Sequence, residues 1–254
     1  MSLIKSIRPK NVNSEEAQEL GLRKTLTTVI SGDEITEKEK DEIKEIIKDY
    51  LRKIFQSEDI DYKDPKVKTE ILNILKRTIG REIFIKLLSS NMKKVTTLQI
   101  NSFKFLAFLI YNVLVESLQI AETDKLLEEI YLLIKSTMYF GIEYKGRTKT
   151  LFYALKLKIR DFPKITQKNF WNVWFENEMK NHKDHGDSIK QSVILSICSK
   201  MVELEIIQII IKDILDDLNK NAFGLNSEIG NQTQQMYMKK ITDAKYTIKG
   251  KGKK

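Results

Sequence analysis

The chain has 254 residues, 31% charged and 41% hydrophobic, with 3 prolines, 10 glycines and one cysteine. So few breakers with so much charge point to a helical globular protein and away from a disordered or strand-rich one, and the length suffices for one large or two small cores. A lone cysteine excludes an internal disulfide, and of the net charge of +9 the stretch from Lys239 onward supplies seven lysines against one aspartate, a net +6 that leaves +3 for the rest.

Residues 1–35 read as a flexible arm. Within it Ser14 can cap a helix reaching about Ile30, although Gly21 weakens that stretch, and Ser31-Gly-Asp33 reads as a turn. No apolar stretch follows Met1-Ser-Leu-Ile-Lys5, so no secretory leader is predicted.

A helical domain is predicted over 36–243. Thr36-Glu-Lys-Glu39 has the form of a capping box, and Ile43, Ile46, Ile47, Tyr50, Leu51, Ile54 and Phe55 follow at the period of one helical face. Asp64-Pro65 starts a second helix, a capping carboxylate followed by a proline whose missing N–H does no harm at the first helical position. That helix is predicted to reach Ile79, with Gly80 in the left-handed position beyond its end and Arg81 opening a short helix to Leu88. Arg81 at a helix start faces the positive end of the dipole, so either a guanidinium–carboxylate pair with a neighbouring helix or a solvated guanidinium on a packed stem is predicted to account for it.

Asn91 to Gln99 reads as a connection. The stretch from Asn101 to about Leu118 is apolar over more than half its circumference, the pattern of a central helix covered on several sides. Its apolar run is shorter than the roughly 20 residues a membrane span needs. Thr123 caps a helix carrying Leu126 to Met138 and ending at Gly141, Gly146-Arg147 marks a turn, and a further helix runs from about Lys149 to Arg160. Asp161-Phe-Pro163 breaks it, because a residue before proline avoids the α region. Thr166 begins an aromatic helix in which Phe170, Trp171, Trp174 and Phe175 fall on one face, a stripe that reads as core before it reads as a ligand cage. Helices around Ile189–Val202, Ile206–Leu218 and Met236–Ile241 follow, and the Gly/Lys end, 244–254, reads as a disordered basic tail. The fold class is therefore all-α, a multi-helix bundle or short irregular solenoid of about nine to ten helices.

Chemistry is sparse. His182, Asp184, His185 and Asp187 are metal-capable, but they fall in a loop and lack the i, i+4 spacing of a helical zinc pair. These are the only two histidines. Cys198 lies among Leu195, Ile197 and Met201, surroundings that keep a thiol protonated. The glycines form neither a GxxxxGK[ST] nor a GxGxxG pattern.

Several separated stretches resemble one family. Gly80-Arg-Glu-Ile-Phe-Ile-Lys-Leu-Leu88 is similar to a "GREWFARYV"-type motif, Thr137-Met-Tyr139-Phe140 to an aromatic "TFY" segment, and Leu151 to Phe175 to an "LYxxLKxxPIWxxxxFWxxAFF" segment with Phe170-Trp171 on its FW pair. Lys164-Ile165 stands where that segment has Pro-Ile-Trp. Together they resemble the helical SET-binding-factor domain, found within large myotubularin-related pseudophosphatases and in a small stand-alone family of cytoplasmic proteins, over roughly Asp41 to Ile241. The resemblance implies a non-enzymatic, cofactor-free interaction domain, an adaptor or scaffold in trafficking or signalling. It makes Gly80, Arg81, Tyr139, Phe170, Trp171, Trp174 and Phe175 the structural or interaction candidates. An unidentified protein partner in the cytoplasm is the expectation, with weak contact to anionic membrane or nucleic acid through the lysine tail. The alternatives are a basic nucleic-acid-binding helical protein and, more distantly, a metal-dependent enzyme using the His182–Asp187 loop.

Overall fold

The computed structural model describes residues 36–56, 64–93, 95–182, 185–225 and 227–250. The arm over 1–35 and the last residues of the tail, 251–254, lie outside them. The chain divides into two units, Met1–Lys40 and Asp41–Lys254. Of the first, Thr36 to Lys40 are described and open α1 (Glu37–Gln56), where the Glu39 amide donates to Thr36 Oγ1 at 3.2 Å, one half of the predicted capping box.

In the second unit α1 continues and buries Ile43, Ile47, Leu51 and Ile54. α2 (Pro65–Lys76) starts as predicted, with the Lys66 amide donating to Asp64 Oδ1 at 2.8 Å. α3 (Thr78–Ser89) follows after a single extended residue, Arg77. Then come β1 (Thr96–Thr97), α4 (Ile100–Ser117), α5 (Asp124–Ser136), β2 (Phe140–Tyr144), β3 (Arg147–Thr150), α6 (Leu151–Arg160) and a 3-10 turn at Pro163–Thr166. The chain closes with α7 (Lys168–Lys180), α8 (Asp187–Glu203), α9 (Gln208–Phe223) and α10 (Glu228–Gly250). Ten α-helices among the described residues make the fold mostly helical.

The bundle is not purely α. A small sheet in the order β1-β2-β3 pairs Thr96 and Thr97 in parallel with Phe140 and Gly141, and Gly141 to Tyr144 antiparallel with Thr150 to Arg147. The helix predicted to close at Gly141 ends at Ser136 instead, and Gly141 lies inside a strand. A Cβ there would approach Thr148 Cγ2 to 2.8 Å and the Lys149 carbonyl oxygen to 2.9 Å. The predicted turn at Gly146 is a two-residue hairpin whose Lys145 and Gly146 both take positive φ, 51° and 69°. That handedness matches the twist of the flanking strands.

α4 packs against α2, α5, α6 and β2, as expected of a central helix. It is long and apolar enough by length and composition to cross a membrane, and 50% of it is buried inside the fold. α5 packs on α3 and α7, while α8, α9 and α10 form a mutually packed group reached through α7. α10 is helical through Gly250, past the boundary at 244 that composition suggests. Buried Tyr237 and Ile241 anchor that helix to the continuous core.

Candidate interaction surface

The four rings of the aromatic stripe pack into the core. Phe170, Trp171 and Trp174 are buried, and Phe175 packs half-buried against the same core. Trp171 meets Phe170 edge-on at 5.1 Å, Trp174 meets Tyr131 edge-on at 5.0 Å, and the Trp171 indole N–H donates to the Ile165 carbonyl at 2.7 Å. The ring stripe thus joins α7 to α5 and to the 3-10 turn. Tyr139 contributes its main chain, whose carbonyl accepts the Thr96 amide at 2.7 Å where β1 meets β2.

Gly80 and Arg81 have roles other than those expected. α2 stops at Lys76, so Gly80 lies within the first turn of α3, in helical conformation. Arg81 is 5% exposed, and no carboxylate among the described residues forms an ion pair with it. Its Nη1 donates to the Lys76 carbonyl at 2.5 Å and the Leu75 carbonyl at 3.3 Å, and its Nη2 donates to Thr78 Oγ1 at 3.0 Å. The guanidinium caps the end of α2, whose last carbonyls have no partner within their own helix. Burial pulls its pKa down, and Glu116, Glu129 and Glu82 counter through space.

The buried titratable groups serve as inter-helix ties. Tyr131 donates to Glu178 at 3.0 Å while Lys135 bridges to Glu178 at 2.9 Å, linking α5 to α7. Tyr237 and Gln234 of α10 and Lys212 of α9 all donate to Asp216. Burial first, and the neighbouring carboxylate second, raise the Tyr131 and Tyr237 phenols far above their ordinary range. Burial lifts the Cys198 thiol to about 11, against a smaller opposing effect of Lys240. Each is held protonated, and none has the activation a nucleophile or base needs. His182 and His185 flank residues 183–184, which lie outside the described residues; no group of three or more His, Cys, Asp or Glu side chains gathers among the described ones.

The surface carries a feature the sequence reading passed over. Residues 145–160 hold six basic side chains and no acidic one. They form the hairpin tip and α6, with Lys145 and Lys149 over the ring of Tyr144 at 5.5 and 4.2 Å from its centroid. α6 buries Leu151, Phe152, Leu155 and Ile159, and so turns Tyr153 and Leu157 outward, 60% and 51% exposed. On the α4 side, Lys158 lies 5.3 Å from the ring centroid of Tyr111, itself 37% exposed. Tyr111 belongs to a half-open strip of α4 with Lys104, Phe108 and Val115, and Lys68 of α2 covers Phe108 at 5.5 Å. On the other flank Lys156 and Arg160 pair with Glu205 at 2.7 and 3.4 Å. Glu205 takes a positive φ of 58° in the turn between α8 and α9. The result is an apolar ridge on α6 beside an aromatic strip on α4, bordered by lysines.

Among the described residues an open cleft between α1 and α3 is lined by Lys48, Leu51, Arg52, Phe55, Leu87 and Asn91. Its cations are engaged within α1, Lys48 by Glu45 at 3.2 Å and Arg52 by Asp49 at 2.8 Å. No family model, curated protein or solved structure matches the chain.

Proposed function

We propose that the chain is a non-catalytic helical interaction domain, an adaptor or scaffold in intracellular trafficking or signalling. The observation that carries this reading is the outward-facing pair Tyr153 and Leu157 at i, i+4 on α6, the helix whose Lys158 reaches the exposed ring of Tyr111 on α4. Side chains of this kind, rimmed by charge and set on a rigid helix, suit a partner's helix laid across them. The resemblance to the SET-binding-factor domain implies the same role. Nucleic-acid binding is the second reading, favoured by the basic run over 145–160 rather than by the tail alone.

Proximity labelling in the native cell tests the proposal by comparing the wild-type chain with a Tyr153→Ser, Leu157→Ser variant. Loss of a defined set of proteins on the variant, at unchanged melting temperature, is the expected result. An identical labelled set would show that the α6 face is not the docking surface.

A further inference from the structure

We infer that the α4–α6 face receives an acidic amphipathic helix, its apolar stripe on Tyr111, Tyr153 and Leu157 and its carboxylates against Lys104 and Lys158. The inference rests on the docking reading above and adds the chemistry of the partner.

Shape gives the first argument. Tyr153 and Leu157 are one turn apart on α6, so they form a two-residue ridge about 6 Å long, which one to two turns of a second helix can cover. Charge gives the second. Lys156 and Arg160, on the far flank of α6, are already matched by Glu205 and Asp161, whereas no carboxylate among the described residues pairs with Lys104, Lys158, Lys145, Arg147 or Lys149. The uncompensated cations thus lie on the α4 side of α6 and on the hairpin leading into it. A partner bearing acidic side chains beside an apolar stripe satisfies both features at once, and complementary charge also speeds and orients its approach.

Two other anionic classes fit less well. Single-stranded nucleic acid binds by stacking bases on open aromatic faces. Here a lysine lies over one face of Tyr111 and of Tyr144, which leaves Tyr153 as the single uncovered exposed ring among the described residues, where successive bases need successive platforms. Leu157 offers a phosphodiester backbone nothing. A bilayer takes up bulky apolar groups that lead the approach, but the hairpin tip is Lys145-Gly146.

The test is a fluorescence-anisotropy titration of the full chain with a labelled peptide about five turns long, with leucines at i, i+3, i+4 and i+7 spacing and glutamates elsewhere. A peptide with lysine replacing glutamate, single-stranded oligothymidine and phosphatidylserine vesicles are titrated in parallel. The acidic peptide should bind, weaken with salt, and lose about tenfold or more in affinity on Leu157→Ser and on Lys158→Glu, each at unchanged melting temperature. Binding of the lysine peptide instead, dependent on Leu157, leaves the docking face standing and overturns the acidic assignment. Binding of neither peptide overturns both. Oligothymidine or vesicle binding that Lys158→Glu abolishes, with no peptide binding, assigns the face to another class of partner.

Discussion

Gly80 lies so close to Ile74 that a Cβ built on it would stand 2.0 Å from the Ile74 carbonyl oxygen and 3.1 Å from Ile74 Cγ2. This contact lets α3 start only one residue after α2 ends. Gly80→Ala must push two backbones apart, and overpacking of this kind costs about 1–3 kcal/mol or more. Urea denaturation should show the loss as a lower midpoint at constant m-value. An unchanged midpoint would mean that the α2–α3 corner relaxes freely.

Arg81→Lys should also lower stability, by about 1–3 kcal/mol, because an ammonium cannot reach the Lys76 and Leu75 carbonyls and Thr78 Oγ1 at once. Thermal melting of Arg81→Lys beside Thr78→Val reads both ends of the fork. If the first variant melts as wild type, the cap contributes nothing measurable.

Trp171→Ala should cost about 3–5 kcal/mol, as truncation of a fully buried aromatic does. Trp171→Phe isolates the polar part, since it strands the Ile165 carbonyl that accepts the indole N–H at 2.7 Å. About 1–3 kcal/mol should be lost there by chemical denaturation. A Trp171→Phe variant as stable as wild type would show that the carbonyl finds another donor.

Asp216 sets an acid limit. Burial works to raise its pKa from the usual 3.8, but hydrogen bonds from Lys212, Tyr237 and Gln234 together outweigh burial and lower it. A folded pKa below the unfolded one adds stability above 3.8 that disappears as pH falls through the folded value. Asp216→Asn should therefore be less stable than wild type at neutral pH, and the gap should close in acid. A gap that persists unchanged below the usual 3.8 would mean that the carboxylate charge is irrelevant to the tie between α9 and α10.

The helix starts were legible because their signals are local. Thr36, Asp64 and Thr123 each accept an amide two or three residues on. The aromatic stripe was legible as core because four large rings on one helical face have few other places to go. The α2 boundary was misread because a glycine after a periodic run looks like a helix end; Gly80 answers instead to the backbone of Ile74, a contact visible only once the corner is folded. Arg81 was misread for the same reason, since its acceptors are main-chain carbonyls that leave no mark in the residue pattern. The sheet escaped because β1 and β2 are separated by two helices, and nothing in Thr96-Thr97 announces its pairing with Phe140-Gly141.

The candidate site followed a third course. The basic run 145–160 was present in the letters, but averaging charge over the body concealed it. What the sequence determined by itself is the helical class, most helix starts and the interior place of Trp171, because capping, periodicity and burial of large rings act over a few residues. Tertiary structure alone decided that Tyr153, Leu157 and Tyr111 stay exposed, that Lys158 covers Tyr111, and that Glu205 reaches Lys156 and Arg160 on one flank of α6 only. Those are relations between side chains more than forty residues apart, and only the packing of α4, α6 and the α8–α9 turn brings them within reach.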